Sequence, residues 1–114
     1  MKSRYRLRNR MAEIMARDLL RDRGHTVIRA AGAGSPVDLV AWKEDRSVLF
    51  VRAVRARRRY GTVAEISSRF RHEIAVLRRL PRLPYLSVEF WVLSGDDWRI
   101  FSVYRNGIQE VERE

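Results

Sequence analysis

The chain contains no cysteine. That absence excludes a disulfide framework, a thiolate zinc site and a cysteine nucleophile. Histidine is nearly as scarce. His25 and His72 are the two present, too few to build a histidine-rich metal site by themselves. Lysine is limited to Lys2 and Lys43. No apolar run approaches the ~18 residues of a membrane-spanning helix. The basic residues at the start, among them Arg4, Arg6, Arg8 and Arg10, are not followed by an apolar stretch. No secretory signal is therefore expected, and the expected compartment is the cytoplasm. There is no internal repeat, no low-complexity tract and no domain-scale linker.

What is present is arginine. Lysine plus arginine total 24 against 14 acidic residues, a formal net charge of +10. Arginine accounts for 22 of those cations, since the lysines are two. The guanidinium fork matches phosphate geometry better than the ammonium point charge does. A small domain this basic attracts polyanions over a long range, so nucleic acid is the first partner to consider. Hydrophobic residues make up 46% and charged residues 33% of the 114, a globular composition. Both fit one domain over residues 1–114 with a single sizeable core.

The spacing predicts a helix over Arg4–Arg23, with Leu7, Met11, Ile14, Met15 and Leu19 as its apolar stripe. Gly24 is its expected stop. Short β-rich segments follow at His25–Ala30 and Val37–Trp42, separated by the small-residue loop Ala31–Pro36. A polar turn at Lys43–Arg46 leads to a third strand, Val48–Val54. Its near-continuous apolar character predicts a central position, buried on both faces. After the basic loop Arg55–Gly61, Thr62 is placed to cap a second helix reaching Leu80. Glu65 stands three residues on as the partner of a capping box. Val63, Ile66, Phe70, Ile74 and Leu77 supply that helix's apolar stripe, and Pro81 and Pro84 end it. Strands are expected at Leu86–Leu93 and Trp98–Tyr104, joined by a hairpin turn at Ser94–Asp97. Asn106 and Gly107 signal a further turn before a polar tail or short edge element. The second helix is long enough to cross over the sheet, so the third and fourth strands can be parallel. The fold class is α/β, with a mixed central sheet flanked by helices.

Several residues fall in one register. Glu13 lies on the first helix, eleven residues before Gly24. Val27, Arg29 and Ala30 end a strand, a glycine-serine loop closes on Ser35, and Asp38 opens the next strand. This order and these motifs resemble the restriction-endonuclease-like PD-(D/E)XK nucleases, and within them the archaeal Holliday-junction resolvases. The match is local over residues 10–55 and is carried elsewhere by the αβββαβ element order alone. The resemblance implies metal-dependent cleavage of phosphodiester bonds in branched or duplex DNA, with Mg²⁺ or Mn²⁺ as cofactor and a homodimer as the working unit. It assigns Asp38 and Glu13 to the metal and Ser35 to the neighbourhood of the phosphate. A divalent metal in such a site polarises the phosphoryl oxygen and helps form the attacking hydroxide.

The third strand departs from the family pattern. Where the family carries an acid, one residue and a lysine, this strand has Arg52, Ala53 and Val54, or one residue on, Ala53 and Arg55. Neither register supplies a carboxylate. Arg52 and Arg55 can stabilise phosphate charge, but a guanidinium cannot readily deprotonate water. Two versions stay open: an endonuclease using Glu13, Asp38 and a relocated group such as Glu65, or a pseudo-nuclease that only binds DNA.

The strongest binding signal is the loop Arg57, Arg58, Arg59 and Tyr60, clustered cations beside a ring that can stack on a base. Arg6 and Arg10 on the first helix form a second basic segment. Arg69, Arg71, Arg78, Arg79 and Arg82 mark the second helix. Nothing reads as a base-specific helix, so recognition is expected through shape and backbone. A basic RNA- or ribosome-associated protein, and a subunit that meets an acidic protein partner, are the rival classes. Neither needs the Glu13, Gly24 and Asp38 register.

Overall fold

The computed structural model describes residues 2–30, 34–44 and 47–112, with side chains from residue 9 onward. Its elements are α1 (Lys2–Asp22), β1 (Thr26–Arg29), β2 (Leu39–Trp42), β3 (Val48–Arg55), α2 (Val63–Arg69), α3 (Arg71–Arg78), β4 (Leu86–Ser94), β5 (Asp97–Tyr104) and β6 (Gly107–Val111). The six strands form one sheet in sequence order. All neighbours pair antiparallel except β3 and β4, which are parallel and joined through α2 and α3. The protein is thus mixed α/β, a six-stranded mixed sheet with helices on both faces.

The helix ends follow from local chemistry. Gly24 takes φ +95°, a conformation side chains resist, and so stops α1. Gly24 N–H donates to the Arg21 carbonyl and His25 N–H to the Leu20 carbonyl, the paired bonds of a Schellman motif. The capping box at α2 forms as expected. Thr62 Oγ1 accepts from Glu65 N–H at 3.1 Å, and the Glu65 carboxylate accepts from Thr62 N–H at 3.2 Å. Glu65 is therefore a capping residue, not a relocated carboxylate. The expected single second helix is instead two, broken at Phe70, whose φ of −112° and ψ of 31° leave the helical region. Regular helix ends at Arg78, short of Leu80, and β2 begins at Leu39, two residues later than the alternation predicts. The last residues form β6 at the sheet edge.

Each face of the sheet carries its own core. On one, Ala12, Ala16 and Leu20 of α1 pack with Leu39, Ala41, Val51, Ala53, Trp91 and Leu93. On the other, Ile66 of α2, Phe70 between the helices, and Ile74 and Leu77 of α3 cover Val88, Phe90, Val92, Phe101 and Val103. The second-helix stripe is as the spacing predicts. The α1 stripe is borne out only in part: Met15 and Leu19 pack against the core, but Met11 is 51% exposed, while Ala12 and Ala16 are fully buried. The buried seam is Ala12, Ala16 and Leu20, and its two alanines leave room for the fully buried Trp91 beneath the helix. This rotation of α1 decides where Glu13 points.

Candidate nucleic-acid interface

Because β3 and β4 are parallel, their carboxyl ends lie at one end of the sheet. In open α/β sheets, loops at such an end commonly form ligand sites. Here the β3–α2 loop, residues 56–62, holds Arg57, Arg58, Arg59 and Tyr60. The loop is pinned. Ala56 N–H donates to the Leu93 carbonyl at 2.8 Å, and Ser94 Oγ to the Arg58 carbonyl at 3.4 Å. The Arg99 guanidinium donates to the Tyr60 carbonyl, and Arg59 pairs with Asp97 at the start of β5. The Tyr60 ring meets Phe70 edge-on at 6.0 Å and lies 4.9 Å from the Arg58 guanidinium. Tyr60 is therefore half-buried and anchors the loop with its ring, while Arg57 and Arg58 stand exposed.

An open hollow of about 780 Å³ lies here, lined by Arg55, Arg57, Arg58 and Arg69 around Tyr60 and Phe70. Glu65 is its one acidic wall residue, and that carboxylate is already engaged by the α2 cap. Four arginines against one glutamate leave the hollow net positive.

The carboxylates sit beside β3 on the α1 face. Asp38 precedes β2, its backbone bonded to β1 and β3 through Ala30 N–H and the Val51 carbonyl, both at 2.8 Å. Its Oδ2 accepts from Ala53 N–H at 2.8 Å and its Oδ1 from Arg52 at 3.3 Å. Burial raises the Asp38 carboxyl from 3.8 to about 6; Arg52 and the Ala53 bond pull it down, and Glu13 pushes it further up. Glu13 thus acts on Asp38 electrostatically across 25 residues of sequence. It borders the buried seam of α1 and pairs with Arg29 of β1 at 3.4 Å. Its i+4 neighbour, Arg17, pairs with Asp18 at 3.1 Å.

The remaining expected residues take these places. Arg55 ends β3, and its N–H donates to Asn9 Oδ1 of α1 at 3.2 Å. Arg10 is exposed on α1, one turn before Glu13. Arg6 belongs to α1, but its side chain lies outside the described residues, as do residues 31–33 of the glycine-serine loop and residues 45–46 of the polar turn. Ser35 Oγ donates to the Val37 carbonyl at 2.6 Å, so its hydroxyl is spent on the loop's own turn. His25 lies against the Leu20 carbonyl and His72 is exposed.

Three residues escaped the sequence reading. Arg29 was visible only as part of a motif, and Asn9 carried no signal. Glu89 did: it is a carboxylate within the apolar run Val88–Leu93, where a charge is rarely buried without a purpose. It is fully buried and accepts from Trp91 Nε1 at 2.9 Å.

The donor set decides what this cluster can hold. Glu13 and Asp38 are each ion-paired to an arginine, two carboxylates against two guanidiniums. Among the described residues no three His, Cys, Asp or Glu side chains come together as a metal site. Each of the two carboxylates is therefore already faced by a guanidinium. The surrounding rim presents guanidinium groups, the chemistry that pairs with anionic oxygens. Among the described residues no helix is long and apolar enough to cross a membrane. No family model matches the chain, and no curated protein matches its sequence.

Proposed function

We propose that the chain is a structured-DNA-binding protein of resolvase-like layout that grips backbone phosphates at the carboxyl-end rim of its parallel strands. The observation that carries this reading is the hollow in which Arg55, Arg57, Arg58 and Arg69 converge outside β3 and β4. Arg10 extends the same basic rim along α1. The succession of α1, three strands, a helical crossover and β4 supports membership of the restriction-endonuclease-like class. So does the electrostatic coupling of Glu13 to Asp38. Arg52 stands where that class carries an acid, and it neutralises Asp38. This favours binding without cleavage over the metal-dependent endonuclease.

The test is a labelled four-way junction beside linear duplex, single strand and hairpin RNA, each run with Mg²⁺, with Mn²⁺ and with chelator. The expected result is retardation of duplex or junction on a native gel under all three conditions, with strands intact on a denaturing gel. Metal-dependent nicking that Asp38→Ala abolishes would replace this reading with the endonuclease. Retardation of RNA alone would favour the RNA-associated class.

A further inference from the structure

The basic rim does not stop at the β3–α2 loop. Its hollow ends on Ser68 and Arg69, at the end of α2. A further open hollow, of about 450 Å³, is lined by Ala75, Arg78 and Arg79 at the end of α3 and by Arg105 of the β5–β6 turn. Both helices cover the same face of the sheet, so the two linings follow one another along one side of the molecule. Arg71, exposed at the first position of α3, stands between them. Ala75 and Arg78 follow it at the four- and seven-residue spacing of one helical stripe. Ser68 and Ala75 are small and exposed, which leaves room for a backbone among the guanidiniums.

This stripe keeps its charge. Among the described residues no ion pair engages Arg69, Arg71, Arg79 or Arg105. Arg78 Nε donates to the Arg105 carbonyl at 2.7 Å, which docks the turn on α3 and leaves both residues cationic. Neither acid of the two helices interrupts the row. Glu65 is engaged by the α2 cap. Glu73 is half-buried and stands about 140° round the helix from Arg78, at ~100° per residue.

The span is that of a polymer. Arg99 marks the first hollow, since its guanidinium holds the Tyr60 carbonyl. Arg105, six positions on along β5 and its turn, marks the second. That is about 20 Å at ~3.4 Å per residue. Each strand of a duplex presents one phosphate per ~3.4 Å of axis, so the stretch covers about six base pairs.

We infer that the phosphate grip of the rim continues over the outer side of α2 and α3, so that one molecule follows a single uninterrupted duplex arm past both hollows. The inference rests on the nucleic-acid reading of the rim. Its test measures affinity against salt for two DNA hairpins, one with a stem of about 5 base pairs, too short to reach both hollows, and one with a stem of about 16. The proteins are wild type, Arg79→Gln with Arg105→Gln, and Arg57→Gln with Arg58→Gln.

In the Arg79 and Arg105 double variant the slope of log affinity against log salt is expected to be shallower by about 2 on the long stem and unchanged on the short one. All four substituted positions are exposed, and a circular dichroism melt checks that each variant folds. Arg79→Gln alone, with a slope shallower by about 1 on the long stem, serves if the double variant does not fold. A double variant that matches wild type on the long stem overturns this inference, and the rim reading stands if the Arg57 and Arg58 variant still lowers the slope. A loss equal on both stems also overturns it, because the α3 arginines would then not depend on duplex length. Failure of wild type to bind either stem overturns the nucleic-acid reading and this inference with it.

Discussion

Replacing Asp38 by asparagine should stabilise the protein at neutral pH. Burial holds the Asp38 carboxyl near 6 in the folded chain, against 3.8 for the free group. A shift of about 2 pKa units at ~1.4 kcal/mol each is about 3 kcal/mol. The folded state holds the proton more tightly than the unfolded state does. The stability from this group is therefore complete below about pH 4 and is lost as pH rises through about 6. The Asp38 side chain is 12% exposed, so solvent screening removes little of the effect. Asparagine keeps an oxygen for Ala53 N–H and never ionises. Urea unfolding of wild type and Asp38→Asn, followed by tryptophan fluorescence across that pH range, reads the difference directly. Near pH 4 the two should differ little, and above pH 7 the variant should be more stable by up to about 3 kcal/mol. A variant less stable than wild type above pH 7 would refute the reasoning, because the Arg52 pair would then outweigh burial. A position whose ionised form opposes folding is the kind that function, not stability, retains.

Three further outcomes follow from the packing. Ala16→Leu puts a large side chain into the fully buried seam over Trp91 and should cost about 1–3 kcal/mol, visible as a lowered melting temperature. Thr62→Ala removes the oxygen that caps α2 and should cost about 1 kcal/mol in urea unfolding, with Thr62→Ser restoring most of it. Trp91→Phe leaves the buried Glu89 carboxylate without its indole donor and opens a space under α1; a loss of about 3 kcal/mol is expected, and a change under 1 kcal/mol would contradict the packing.

The second half of the fold was the more legible. The stripe from Val63 to Leu77, the Thr62 and Glu65 box and the hairpin at Gly95 are local signals, and the parallel pairing of β3 and β4 followed from the crossover length. The face of α1 was only partly legible, because large apolar residues were counted and alanines were not: Met15 and Leu19 do pack against the core, Met11 does not. The seam that packs most deeply is Ala12, Ala16 and Leu20, where the two alanines allow close approach to a sheet carrying Trp91. Glu13 borders that seam and meets Arg29. The register linking Glu13 to Asp38 was legible through the family resemblance. The ion pairs that neutralise them were not, because Arg29 and Arg52 reach them only through strand pairing. The break at Phe70 had no proline or glycine to announce it.

The central claim is that phosphates are gripped at the carboxyl-end rim without a metal. The most direct measurement is duplex affinity as a function of salt, in chelator and in Mg²⁺, for wild type and for Arg57→Gln with Arg58→Gln. Each lost phosphate contact lowers the steepness of log affinity against log salt by about 0.9. The account predicts binding in chelator and a slope shallower by about 2 in the double variant. Binding that requires Mg²⁺, or a slope the variant leaves unchanged, would contradict it.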